Sequence, residues 1–185
     1  FVLHTRGTQV LHASAVLGSQ GVLVLCARSG TGKSTLSYAL SQRPGNTLWA
    51  DDAVAFDDAT TPVSSLPLPF TLRLRPTSAM HFGRTDRPIL QGPPRHEPAA
   101  VSAVVILERT LPESGTDIDI QRLNDIDAFT GLLEHAYCFD FEGIHKRATS
   151  EAYLALAARV PVHLVSFASR LELIPDIVDI LARIP

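Results

Sequence analysis

The stretch that most constrains this chain is Ala27-Arg28-Ser29-Gly30-Thr31-Gly32-Lys33-Ser34-Thr35. It lies between an apolar run, Val22 to Cys26, and a run of helical character, Leu36 to Gln42. Strand, glycine-rich turn, Lys-Ser and helix, in that order, make a cradle for nucleotide phosphates. Small residues let backbone N–H groups converge on phosphate oxygens. The N-terminus of the following helix adds unpaired donors and partial positive charge. Lys33 can set an ammonium against a transferring phosphate, and Ser34 can set a hydroxyl against Mg²⁺. Arg28, Ser29, Gly30, Thr31, Gly32, Lys33, Ser34 and Thr35 are therefore the expected nucleotide-binding residues. The pattern G-x-x-x-x-G-K-[ST] is broken once: Ala27 stands in place of its first glycine, a small change where φ stays negative.

Upstream, Val10 to Leu17 reads as a strand, Gly18-Ser19-Gln20-Gly21 as a turn and Val22 to Cys26 as a second strand. A short polar, glycine-bounded loop between two such runs predicts an antiparallel hairpin. The strand entering the phosphate loop is thus expected to pair with the strand before it. His12 lies in the first strand of that hairpin. Downstream, Leu36, Ala39 and Leu40 give the loop helix an apolar face, and Pro44-Gly45 ends it. Leu48-Trp49-Ala50 forms a short strand that runs into Asp51-Asp52 and then Val54-Ala55-Phe56. Acids at the end of an apolar strand beyond a phosphate loop are placed for Mg²⁺ ligation and for proton acceptance. Alternation along the chain lets the two carboxylates divide these tasks. Asp57-Asp58 reads as turn.

Residues 59–69 are rich in Pro, Ser and Thr and read as loop. Thr71 to Arg75 alternates, which puts Arg73 and Arg75 on one face of a strand, suited to a phosphate or to solvent. Pro76 to Phe82 is expected as a short helix. Gly83 to Pro98, with its prolines and arginines, reads as a long loop of the kind that binds acceptors. Val101 to Leu107 is a continuous apolar run, hence a buried strand, with Ile118 to Leu123 as its expected hairpin partner. Asn124 is placed to cap a helix with Ile126, Phe129 and Leu133 inside. Ser150 is placed to cap another, with Leu154, Ala157 and Ala158 inside. Val162 to Phe167 is a strand, and Pro175 opens a last helix carrying Ile177, Ile180, Leu181 and Ile184 on one face. His135, His145 and His163 have no metal-like spacing.

The chain has 185 residues, which suits a single domain over residues 1–185, and it begins at Phe1 without a methionine, as a trimmed or partial chain would. No apolar run reaches the length of a membrane span, and no secretory signal is visible. Two cysteines, Cys26 and Cys138, cannot make a disulfide framework, which favours a reducing, cytoplasmic setting. Cys26 reads as a buried small hydrophobe. A net charge of −3 with no basic block argues against nucleic acid as partner.

With these residues in place, His12 in a strand, the loop Ser29-Gly30-Thr31-Gly32-Lys33-Ser34 and the segment Trp49-Ala50-Asp51-Asp52-Ala53-Val54 together resemble the catalytic domain of HPr kinase/phosphorylase. The chain is more closely similar to the HPr-kinase-like proteins encoded beside bacterial modified-peptide (RiPP) genes, including those of lasso peptides. Leu72-Arg73-Leu74, the helix start at Ser78-Ala79, and the strand Val162 to Phe167 with its following helix also fit that subgroup. The resemblance implies an α/β fold shared with the ATP-dependent phosphoenolpyruvate carboxykinases: a mixed sheet, flanked by helices, with an antiparallel hairpin leading into the phosphate loop. It implies ATP- and Mg²⁺-dependent phosphoryl transfer to a serine hydroxyl. By position, Lys33 would bind phosphates, Ser34 and Asp52 would hold Mg²⁺, Asp51 would be the base, and His12 would sit near the γ-phosphate. The glycine-containing loop with which HPr kinases grip HPr has no counterpart, so the expected acceptor is another hydroxyl, on a peptide or peptide precursor. A small-metabolite kinase and a nucleotide-binding regulatory module are the alternative expectations. Oligomers are common in the family, which makes a homo-oligomer an expectation too.

Overall fold

The computed structural model describes residues 8–84, 89–91, 97–110, 117–137 and 143–184. In chain order the elements are β1 (Gln9–Leu11), β2 (Ala13–Gly18), β3 (Gly21–Ala27), α1 (Lys33–Ser41), β4 (Thr47–Ala50), β5 (Val54–Asp57), β6 (Ser64–Leu66), β7 (Thr71–Arg73), α2 (Pro76–His81), β8 (Ile89–Gln91), β9 (Ala99–Thr110), β10 (Ile118–Arg122), α3 (Asp125–Leu133), α4 (Gly143–Arg159), β11 (Val162–Ala168) and, after a 3₁₀ turn at Leu171–Leu173, α5 (Ile174–Leu181). Among the described residues no helix is long and apolar enough to cross a membrane.

The 12-residue β9 is the spine of a mixed sheet. It runs parallel to β3 on one side (Val24↔Val104) and parallel to β11 on the other (Val162↔Val104). Beyond β3 lie β2 and β4, each antiparallel to its neighbour. The expected hairpin is therefore present, with Ala13 opposite Cys26 and Gly18 opposite Gly21. Strand alternation sends side chains to two cores. Val22, Val24 and Cys26 of β3 join Ala128 and Leu132 of α3 and Tyr153 and Leu156 of α4 on one face. Leu23, Leu25 and Ala27 join Leu36 and Leu40 of α1 and Ile177 and Leu181 of α5 on the other. Helices thus cover both faces, and Cys26 is fully buried, its thiol pushed up to about 12 by that burial.

Several expectations are corrected. The run Val10 to Leu17 is not one strand: it breaks at His12, where the chain leaves its pairing with β5 and takes up its pairing with β3 and β4. Residues 59–69 are not all loop. They contain β6, which bridges β5 and the start of β9, and whose Ser65 Oγ accepts from Trp49 Nε1 at 2.8 Å. Of Thr71 to Arg75, only Thr71–Arg73 forms a paired strand. The segment Gly83 to Pro98 includes β8, paired with β7; its residues 85–88 and 92–96 lie outside the described residues, as do Val2 to His4 and Cys138.

Nor is β10 the hairpin partner of β9. β11 lies between them, antiparallel to β10 and parallel to β9. A strand buried on both faces needs a covered neighbour on each side, whereas β10, mostly exposed, suits an edge. Asn124 does cap α3, accepting from the N–H groups of Ile126 and Asp127 at 3.0 Å. Ala128 and Leu132 are buried and Phe129 packs against the same core, as expected of Phe129, while Ile126 is 76% exposed and Leu133 is exposed too. Ser150 is not a cap: α4 begins at Gly143, and Ser150 Oγ donates back to the Lys146 carbonyl. Ala152, Tyr153, Leu156 and Ala157 face in, and Leu154 faces out. In α5, Val178 rather than Ile180 joins Ile177 and Leu181 inside.

Candidate active site

Because β3, β9 and β11 are parallel, their C-terminal ends meet at one edge of the sheet, the usual place for a ligand crevice in such sheets. The glycine-rich loop follows β3, Arg109 closes β9, and Phe167 to Arg170 close β11. Together they line a cavity of about 420 Å³.

The loop keeps the form its residues require. Gly30 (φ 86°) and Gly32 (φ 124°) occupy left-handed backbone that side chains disfavour. Gly32 is the N-cap of α1, and no side chain caps that helix. The N–H groups of its first turn therefore lack intrahelical acceptors and face the cavity side. Ala27 needs no glycine: it is the last residue of β3, opposite Leu107, outside the positive-φ region, with its methyl in the core. Its carbonyl accepts from Lys33 Nζ at 2.8 Å. Lys33 is 7% exposed, and burial draws its ammonium below the ordinary lysine range, against the pull of the Asp52 and Asp51 carboxylates.

The acidic end of the site is assembled by two strand crossings at one level. β1 pairs with β5 and β2 pairs with β4, so the break at His12 lies across from the link Asp51–Ala53. Both chains change partners there, which brings His12 near Asp52. The two acids then part company. Asp51 is buried, and its Oδ1 accepts from Ser34 Oγ at 2.9 Å. Burial raises its carboxyl to about 6, with the Ser34 bond working against that rise. Asp52 is exposed on the cavity wall in left-handed backbone, φ 63°. Ser34, which the resemblance pairs with Asp52 as Mg²⁺ ligands, thus has its hydrogen bond to Asp51.

His12 lines the cavity, and its Nδ1 lies 2.9 Å from the Tyr137 hydroxyl. Burial, then Lys33, lowers its pKa, with Asp52 opposing. His135, one turn from α3, is buried and lowered likewise by burial and by Lys33. Among the described residues no group of three or more His, Cys, Asp or Glu gathers as a metal cluster. A hydroxyl, two carboxylates and a phosphate cradle form instead the sparse all-oxygen set that Mg²⁺ takes together with substrate phosphates. The residues present therefore fit Mg²⁺ and a nucleoside triphosphate.

Of the residues expected at the site, His12, Ser29 to Thr35 and Asp52 line the cavity. Asp51 stands behind Ser34. Arg28 turns away, its guanidinium 3.2 Å from Glu134 at the surface. Arg73 and Arg75 both reach the cavity, with the Arg75 guanidinium 3.3 Å from where a Cβ on Gly30 would lie. Residues that sequence reasoning missed are Tyr137, Arg109, Ser78, Phe167 and Arg170. Arg109 Nε donates to the Thr31 carbonyl at 3.1 Å, and Ser78 Oγ shares a hydrogen bond with Thr35 Oγ1 at 2.9 Å. Arg109 had a signal, two residues past an apolar strand, but reading it required knowing that this strand runs parallel to β3.

No family model matches the chain, and no curated protein matches it. Among solved structures it is similar to the HPr(Ser) kinase/phosphatase from Coxiella burnetii, with 15% identity, a TM-score of 0.49, and coverage of 95% of this chain and 88% of that one.

Proposed function

We propose that this cavity is the active site of a kinase that transfers the γ-phosphoryl group of Mg²⁺-bound ATP to a serine hydroxyl, with a peptide or peptide precursor as acceptor. The observation that carries the reading is the convergence of Lys33, the Ser34–Asp51 pair, Asp52 and His12 on one phosphate-binding loop. The loop N–H groups and α1 hold the phosphates. Lys33 exchanges the Ala27 carbonyl for a phosphate oxygen. Mg²⁺, when bound, neutralises phosphate charge and aligns the oxygens. A P-loop hydroxyl hydrogen-bonded to a strand-end carboxylate is a metal-holding pair, so Ser34 and Asp51 take that role. This reverses the division that motif position implied, and leaves Asp52 on the cavity wall to accept a proton.

The acceptor oxygen forms a bond to the γ-phosphorus as the bond to the ADP oxygen breaks. The hydroxyl proton leaves toward Asp52, with His12 beside it. Catalysis is mainly positioning and charge neutralisation, since the chemistry needs no covalent enzyme intermediate. The arginines at the opposite wall supply cationic charge for phosphates and for an anionic acceptor.

The test is product analysis. The protein is incubated with ATP, Mg²⁺ and serine-containing peptides, and products are read by mass spectrometry for the gain of one phosphate on serine. Phosphate gained only by small metabolites would move the acceptor class to metabolites. Nucleotide binding with no transfer to either would leave a regulatory module.

A further inference from the structure

The cavity changes character along its length, and the order of strands sets the axis of that change. β3, whose end carries the phosphate loop, has β2 and β4 on one side and β9, then β11, on the other. His12, before β2, and Asp52, after β4, close the cavity at one end; the turn from β11 into α5 closes it at the other. β2 and β11 are three strand spacings apart, about 14 Å across the sheet.

The two ends differ in chemistry. One gathers carboxylate, imidazole and the Lys33 ammonium. The other is floored by Phe167, Ile174 and Ile177, all buried in the core beneath α1 and α5. Above that floor stands Leu171, 39% exposed on the cavity rim, while Leu173 and Ile174 of the same turn go into the core. The charge of Arg170 at this end is met by the Asp117 carboxylate, and Arg109 Nε is held by the Thr31 carbonyl. Arg73 and Arg75, on the β7–α2 side, form no ion pair among the described residues.

A nucleoside triphosphate has the same polarity: an anionic chain at one end and a flat, uncharged base with apolar faces at the other. Lys33 and the Ser34–Asp51 pair hold the terminal phosphates, so the remainder of the molecule leads along the loop and away from the acids. Ligand sites bury apolar faces against apolar side chains and keep a few polar groups for orientation. The β11 end offers this, whereas the unpaired guanidinium groups of Arg73 and Arg75 suit an anion.

We infer that the β11 end of the cavity is the seat of the nucleoside base, with Leu171 as its rim contact and Phe167 and Ile174 as its floor. The inference deepens the reading above and rests on it for the direction of the phosphates.

The experiment uses the whole chain with Mg²⁺ and compares calorimetric binding of ATP with that of inorganic tripolyphosphate, which has the three phosphates and no nucleoside. ATP is expected to bind on the order of tenfold more tightly, the worth of burying one apolar contact face. Leu171→Ala should remove most of that advantage and leave tripolyphosphate affinity unchanged. Photolysis with 8-azidoadenosine triphosphate, followed by peptide mapping, should label residues between Phe167 and Ile177. Tripolyphosphate binding as tightly as ATP in the wild type would overturn the inference without any variant, so failure of Leu171→Ala to fold does not protect it. Equal losses for both ligands in Leu171→Ala, or no loss of ATP, would also overturn it, as would a label on the Arg73 to Ser78 segment. Neither ligand binding would remove this inference and the kinase reading together. The expected affinities and label in a protein that transfers no phosphate would leave the base site standing and remove the kinase reading alone.

Discussion

The two walls of the cavity are built differently. On the acidic wall, His12, Asp51, Asp52 and Tyr137 come from segments sewn together by main-chain hydrogen bonds where strands change partners. Asp51 is buried there and bonded to Ser34, and His12 lies within hydrogen-bond distance of Tyr137. On the basic wall, Arg73 and Arg75 stand exposed on β7 and the turn into α2, a unit with its own small apolar cluster of Tyr38, Leu72, Leu74 and Ala79. Arg109 reaches the loop from the end of β9, where its Nε donates to the Thr31 carbonyl. The difference teaches that geometry is invested on one wall and charge on the other. Proton transfer tolerates little displacement, whereas guanidinium groups attract phosphates over a longer range. Damage to the acidic wall should therefore appear in kcat, and damage to the basic wall in KM.

The largest break expected is at the hinge between the walls. Lys33→Ala should lower transfer about a thousandfold, as loss of a preorganised charge does, and weaken nucleotide binding. The domain should still melt cooperatively, with a loss of about 1 kcal/mol for the orphaned Ala27 carbonyl. Turnover assays and thermal melts read this; full activity would remove Lys33 from the site.

Next come the two carboxylates. Asp52→Asn should cost about a hundredfold in kcat, the size of a proton-acceptor contribution, and excess Mg²⁺ should not restore it. Asp51→Asn should raise the Mg²⁺ needed for half-maximal rate and be partly rescued by more. Mg²⁺ titrations of both variants decide it, and the reverse pattern would return the roles to those implied by motif position.

Asp51 should also mark itself in the metal-free protein. Its carboxyl is raised from 3.8 to about 6 when folded. The unfolded chain thus releases this proton first, and the stability it contributes is full below about pH 4 and lost as pH rises through about 6. Relative to Asp51→Asn, the wild type should lose about 3 kcal/mol across that window. The comparison with the variant matters, because His12, His135 and His163 are all lowered and act in the opposite sense, destabilising as pH falls below 6.5. Denaturant unfolding at several pH values gives the difference, and parallel curves would place Asp51 in a less buried setting.

The smallest effect belongs to the basic wall. Arg109→Ala should raise the nucleotide KM about tenfold, the loss of one charge-assisted contact, with kcat changing less. A fall in kcat with KM untouched would erase the contrast between the walls.

Much of this was legible before any coordinates. The loop, its helix, the hairpin before it and the paired acids after it are joined by a few peptide bonds each, so local chemistry determines them. The same holds for the Asn124 cap, because the side chain reaches N–H groups two and three residues on. Chain order alone misled at Val10 to Leu17, read as one strand, since its apolar pattern suits one long strand as well as two that part at His12. It also misled in part at α3, where Phe129 packs inward as its stripe predicts but Ile126 and Leu133 face out, and Ala128 and Leu132 take the buried positions.

What only the tertiary structure decided is which strands are neighbours. Burial of β9 on both faces selects parallel β3 and β11 beside it, and that choice delivers Arg109, Phe167 and Arg170 to the phosphate loop. The bridge from Leu11 to Ala136 delivers Tyr137 across 125 residues to His12. Such contacts depend on how the whole chain buries its apolar surface, which no window of sequence contains. The loop, by contrast, needed only glycines where φ is positive and a lysine at the start of a helix, and the sequence by itself determined those.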